Sequence, residues 1–262
     1  MRIGRRFTWA VALVGFVGIA VMSQPALAAT VTNGSFETGD FTGWTVTPQT
    51  ESAGTWTVAT GTSSPLSEHP TPAASCDSHQ AVYDQTEESS AVLIQDLTLE
   101  AGETHTLSFT HWYVNYDSSG PASEGLHPAV DATPIWGSPD SLDFNFDGTN
   151  QQYRVDILKA GADPFSVAPA DVLKTIFQTQ PGDPGSLDPT PVTVDLSAFA
   201  GQSVQLRFAA VDNDDYLNVG VDCVALTSTP ITTSSTTSTT AAPTTTVAVA
   251  PAAVQAEPAF TG

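Results

Sequence analysis

The stretch Val192–Leu226, VTVDLSAFAGQSVQLRFAAVDNDDYLNVGVDCVAL, reads as strand, single helical turn, strand, acidic loop, strand. Val192 and Val194 alternate with polar neighbours, the period of a half-buried strand. Asp195 can cap the turn Leu196–Phe199, and Gly201 ends it. Val204, Leu206, Phe208 and Ala210 then make an apolar face of period 2, and Val219, Val221 and Cys223 resume the alternation. Asp212, Asn213, Asp214 and Asp215 cannot all be buried together, so they form a loop. Two strands joined this way are expected to be neighbours at the end of an antiparallel sheet, with the rest of the domain packed on them.

Outward from this stretch, strand patterns recur between turn signals. They fall at Trp44–Thr47, Thr55–Ala59, Gln80–Asp84, Ala91–Leu99, Thr104–Asn115, Leu142–Phe146 and Tyr153–Leu158. Ala170–Phe177 is ambiguous between a short helix and a strand, and no long amphipathic helix or 20–50-residue repeat competes. Residues 29–227 suit one β-sandwich better than two domains. The expected fold is all-β, an antiparallel sandwich of jelly-roll type. One connection, Asp117–Ser141, is long enough to suggest function. A second, Pro181–Pro191, reads as a linker between strands.

The ends have other compositions. Arg2, Arg5 and Arg6 precede the uncharged apolar run Phe7–Met22, and Ala26-Leu27-Ala28 is a small-x-small cleavage site, so residues 1–28 read as a secretory signal peptide. A membrane helix is the alternative, disfavoured by Pro25 and the Ala-rich exit. Cleavage would remove three of the 7 basic residues and none of the 28 acidic ones, giving 4 − 28 = −24 formal charges. Such a surface repels nucleic acid and anionic lipid, and suits a soluble extracellular monomer. It also offers carboxylates to hard cations such as calcium. From Ser228 to Gly262 the chain is Thr, Ser, Ala and Pro with almost no charge, a composition that cannot bury a core and reads as a disordered stalk.

Cys76 and Cys223 are the two cysteines. In an exported chain an even pair is most simply one disulfide, and two reduced buried thiols are the alternative. A bond closing so long a loop would contribute roughly 4–5 kcal/mol in the chain-entropy account.

The closing Gly220-Val-Asp-x-Val-x-Leu226 and the opening VTNGSFETGDFTGW, Val31–Trp44, together resemble the two ends of galactose-binding-like jelly rolls. That superfamily includes many carbohydrate-binding modules of secreted bacterial proteins. The resemblance implies a structural calcium tying the N-terminal segment to the last strand, with Glu37, Asp222 and Asn33 supplying ligands and backbone carbonyls completing the shell. Cys223 stands where the pattern often has a second acidic or amide residue. Alternatively, Glu37 is an exposed turn residue. The final Ala-Phe-Thr-Gly also resembles the Leu-Pro-x-Thr-Gly sorting signal of wall-anchored proteins, with Ala259 and Phe260 departing from it.

Two further acidic stretches invite a cation. Asp143-Phe-Asn-Phe-Asp-Gly148 matches the first half of an EF-hand loop, but Arg154 occupies the position that needs a bidentate Glu. A hairpin is the better reading, with Phe144 and Phe146 toward a core and Asp147-Gly148 turning into the next strand. Asp212–Asp215 could bind calcium or sugar hydroxyls, and the simpler reading is a solvated loop. Sugar-binding modules stack pyranose rings on exposed aromatic side chains. Trp44 and Trp56 read as core, and Trp136, Tyr116 and Tyr216 border or occupy loops and are the candidate ligand face.

Catalytic signatures are missing from the sequence. There is no Gly-x-Ser-x-Gly elbow, His-Glu-x-x-His or phosphate loop, and the 5 histidines lack metal-ligand spacing. The expected function is non-catalytic binding of a carbohydrate, such as a polysaccharide or cell-surface glycan. The alternative is a wall-associated structural or adhesion protein displaying its β-domain on a stalk.

Overall fold

Ten strands and one short 3-10 turn follow in order along the described chain. The computed structural model describes residues 30–116, 135, 137–214 and 216–232. The strands are β1 (Thr45–Pro48), β2 (Gly54–Thr60), β3 (His79–Gln85), β4 (Ser89–Leu99), β5 (Glu103–Tyr116), β6 (Gln151–Lys159), β7 (Val172–Gln178), β8 (Ser186–Asp195), β9 (Gln202–Asp212) and β10 (Tyr216–Pro230). They form two five-stranded antiparallel sheets, β1-β4-β9-β6-β7 and β2-β3-β10-β5-β8. The fold is the expected antiparallel β-sandwich. The signal segment and the stalk from 233 onward lie outside the described residues.

The deciding stretch forms the elements expected of it, but not their expected pairing. β9 belongs to one sheet and β10 to the other, so the acidic turn crosses the sandwich instead of closing a hairpin. Leu206 and Phe208 of β9 share one core with Leu217, Val219 and Val221 of β10. Each strand instead has two other antiparallel partners: β4 and β6 flank β9, and β3 and β5 flank β10. Apolar alternation specifies which face is buried; it does not specify the hydrogen-bonded neighbour. The turn is one residue shorter than expected, a 3-10 turn Ser197–Phe199 with Leu196 at its N-cap; Asp195 Oδ1 still accepts the Ser197 N–H at 2.9 Å, and Gly201 has φ +84°.

Three other differences have local causes. Residues 142–146 form no strand: Phe146 N–H donates to the Asp143 carbonyl, Phe144 is buried and Phe146 is exposed. Phe144 and Leu142 cover the outer face of the first sheet, where Val92, Ile94, Ala209 and Val211 form a second apolar cluster. The expected linker Pro181–Pro191 is strand from Ser186 onward, with Pro189 and Pro191 in β8. That strand is an edge, where a missing N–H breaks no interior ladder. Ala170–Phe177 resolves as strand β7. β10 also runs past residue 227, with Ser228 and Thr229 paired to His105 and Thr104.

Candidate functional site

Tyr116 ends β5 and Tyr216 begins β10, and the antiparallel register sets them directly opposite each other. His69, from the connection between β2 and β3, completes the group. Its ring stacks on Tyr116 at 4.3 Å between centroids and meets Tyr216 edge-on at 5.0 Å. The Tyr116 hydroxyl donates to the Pro70 carbonyl, and the Tyr216 hydroxyl donates to the Thr86 carbonyl at 3.4 Å. Burial, with the nearby Asp84 carboxylate adding to it, pushes the Tyr116 phenol up to about 12, and burial lowers the His69 imidazole. Both rings are therefore neutral near pH 7.

Asp84 holds His69's connection in place. Its carboxylate is fully buried and accepts Leu66 N–H at 2.5 Å, Ser67 N–H at 3.0 Å, Ser67 Oγ at 2.6 Å and Asn218 Nδ2 at 2.9 Å. Neither His69 nor Asp84 was singled out in the sequence. Asp84 alternates with Val82 and Gln80 on the outer face of β3, which marks it as facing away from the main core, but only the overlying loop buries it. His69 lies in a Pro- and Ser-rich loop that carries no periodic signal.

Beside this group Tyr216 lines an open groove of about 540 Å³ together with Phe144, Thr86, Glu51, Glu87, Glu88 and Asp214. Four carboxylates, a hydroxyl and two aromatic rings therefore surround one opening. Trp136, the third aromatic expected on a ligand face, lies outside the described residues. Trp44 and Trp56 are buried core residues, as expected.

The acidic turn is not a uniformly solvated loop. Asp212 is fully buried at the end of β9 and accepts Gln85 Nε2 at 2.9 Å. Asn213 Nδ2 is shared among the carbonyls of Phe144, Phe146 and Gly148, at 3.1, 3.3 and 2.9 Å. Asp214 is exposed on the groove, and Asp215 lies outside the described residues. Asp143 of the EF-hand-like run uses Oδ1 to accept Gln49 Nε2 and Asn145 N–H, closing a local turn.

Glu37 and Asp222, expected as calcium ligands, both meet the segment Ser75–His79. Glu37 accepts N–H bonds from Ser78 and His79, and Asp222 accepts them from Ser75, Cys76 and Cys223. Burial of the Glu37 carboxyl opposes these bonds, and the His79 and Ser78 donors nevertheless hold it down at about 2. Burial dominates at Asp222 and moves its carboxyl upward. Asn33 is turned into its own loop, where Nδ2 donates to the Asp40 carbonyl at 2.8 Å. Each Glu37 oxygen accepts two hydrogen bonds, a poor fit to a cation that takes six to eight oxygen ligands. Cys76 and Cys223 are joined in a disulfide, so the sulfurs beside Asp222 are not thiolate ligands either.

Among the described residues, no helix is long and apolar enough to cross a membrane. No family model matches the chain, and no curated protein matches it. Solved structures do resemble it. The K3 cleaved adhesin domain of Lys-gingipain from Porphyromonas gingivalis W83 aligns with 76% of this chain and 98% of its own, at 15% identity and a TM-score of 0.44. A Stig cyclase from Fischerella sp. TAU aligns with 78% of this chain and 98% of its own, at 20% identity and a TM-score of 0.43. TmCBM61, solved with β-1,4-galactotriose, aligns with 74% of this chain and 94% of its own, at 12% identity and a TM-score of 0.39.

Proposed function

We propose that this chain is a secreted, non-catalytic β-sandwich module that binds a glycan in the groove beside Tyr216. The observation that carries the reading is the groove's chemistry: the Tyr216 ring shares one opening with a hydroxyl and several carboxylates. Sugars are recognised by that combination, an apolar platform for the C–H face of the pyranose and oxygen acceptors for its hydroxyls. The disulfide and the signal-like N-terminus support an oxidising, extracellular setting.

Charge narrows the ligand class. Glu51, Glu87, Glu88 and Asp214 line the groove of a strongly acidic protein, so a uronate, sulfate or phosphate polymer would meet repulsion. Neutral and amino-sugar polymers are the fitting classes. The test is affinity electrophoresis of the mature chain in gels containing neutral, amino-sugar and anionic polysaccharides. The expected result is retardation by a neutral or amino-sugar polymer, reduced at least tenfold in apparent affinity by Tyr216→Ala, as loss of about 1.4 kcal/mol would give. Migration unchanged by every polymer in the panel, or retardation indifferent to Tyr216→Ala, would overturn the reading.

A further inference from the structure

We infer that the join between the chain's first loop and its last strand is a metal-free clasp, closed by N–H donors and a disulfide in the place where the resemblance to galactose-binding-like domains implies calcium. The inference is independent of the glycan reading. Both carboxylates at the join are already used. Glu37 Oε1 accepts Ser78 N–H at 2.9 Å and His79 N–H at 2.6 Å, and Oε2 accepts Ser78 Oγ at 2.9 Å with His79 Nδ1 at 3.0 Å. Asp222 Oδ2 accepts Ser75 and Cys76 N–H at 2.8 and 2.7 Å, and Oδ1 accepts Cys223 N–H at 2.6 Å.

The donors form two consecutive pairs on one short segment, 75–76 and 78–79. Asp77 between them has φ +60°, which turns the backbone so that one pair serves Asp222 and the other Glu37. The carbonyls that could have completed a calcium shell are engaged too. Asn33 O accepts Phe36 N–H and Trp44 Nε1, and Gly34 O accepts Val224 N–H at 2.8 Å. Each Glu37 oxygen already holds two donors, so a cation bound there would have to displace some of them and leave the part-buried His79 N–H without its acceptor.

The same segment carries the covalent tie. β10 bulges between Asp222 and Ala225, and Cys223 there takes φ +57°. The bulge turns Cys223 off the core face and brings its Cα within 5.6 Å of Cys76 Cα, where the disulfide forms. Cutting that bond takes two electrons and two protons, supplied in the test by an added dithiol, and leaves the hydrogen bonds as the remaining closure.

Thermal unfolding of the mature chain in excess calcium and in chelator, with and without dithiothreitol, tests this. The expected result is one Tm in calcium and in chelator, lowered by dithiothreitol in the wild type and unaffected by it in the Cys76→Ala/Cys223→Ala variant. Glu37→Gln should lower Tm equally in calcium and in chelator. A calcium-dependent rise in wild-type Tm that disappears in Glu37→Gln would overturn the inference. A rise that persists in Glu37→Gln would place the cation elsewhere and leave the clasp metal-free. Should Glu37→Gln fail to fold, calorimetric titration of the wild type and of Asp222→Asn decides: a calcium isotherm of the wild type that is lost in Asp222→Asn overturns the inference, and an isotherm kept in Asp222→Asn, or no binding heat in either, upholds it.

Discussion

Gly220 shows how one residue can hold a face of the sandwich together. It lies opposite Trp112 in the β5–β10 register, and a Cβ built on it would fall 1.9 Å from the indole Cε2. Trp112 is itself buried, and its Nε1 donates to Gln80 Oε1 at 2.9 Å, so the ring cannot move aside without breaking that bond. Gly220→Ala should therefore destabilise the domain by about 1–3 kcal/mol through overpacking, read from the urea midpoint. An unchanged midpoint would show that Trp112 shifts freely. Glycine here was legible in the sequence as part of the closing motif, but its reason was not: it is the close approach of a side chain from another strand. Cys223 is a similar case. The alternation placed it on the core face with Val219 and Val221, whereas the bulge turns it outward and puts Val224 and Leu226 in the core instead.

At the scale of elements, the outer face of the first sheet is finished by loops. Arg207 projects from β9 and is fully buried. Its Nη1 donates to the carbonyls of Pro164 and Ser166, each at 2.8 Å, and its Nη2 pairs with Asp156 at 2.6 Å. Asp156 also takes a two-point contact from Arg154. Burial pushes the Asp156 carboxyl upward, and the two guanidinium groups outweigh it and keep the group below the usual carboxylate range. Two of the few basic side chains are thus committed to one buried carboxylate, which pins the connection between β6 and β7. Replacing Arg207 with Met removes the donors to two loop carbonyls and half of the charge partner of Asp156. The expected cost is about 3–5 kcal/mol, with new proteolytic cleavage within residues 160–171. Wild-type protease resistance in that loop would contradict the pinning role. The same loops explain why residues 142–146 mislead a reading by period. Phe144 is apolar because it covers a sheet, a demand that strand alternation and loop cover share.

For the whole molecule, the two sheets meet around His111. It projects from β5 toward the facing sheet, 4.7 Å from the Phe177 ring centroid, with Nδ1 3.3 Å from the Tyr153 hydroxyl. Burial lowers its imidazole to about 4, so the unfolded chain takes up this proton before the folded one does. Stability from neutral His111 is complete above the unfolded value of 6.5 and declines as pH falls from there to about 4. The span corresponds to a loss on the order of 3 kcal/mol. Denaturant unfolding between pH 7 and pH 4 should show that decline, and His111→Phe should flatten it; a decline equally steep in the variant would assign it to the carboxylates. What the sequence by itself determined is the local part of this protein: an all-β chain, most strand faces set by alternation, and the Trp44 and Trp56 core, whereas only the structure shows Cys76 bonded to Cys223. Those follow from side-chain period and composition, which neighbouring residues encode. Tertiary structure alone decided that β9 and β10 lie in opposite sheets, that Asp84 and Asp212 are buried, that His69 joins Tyr116 and Tyr216, and that Glu37 and Asp222 are closed by N–H groups. Each of these depends on which distant backbone donor or ring arrives beside a side chain, and no spacing along the chain carries that information.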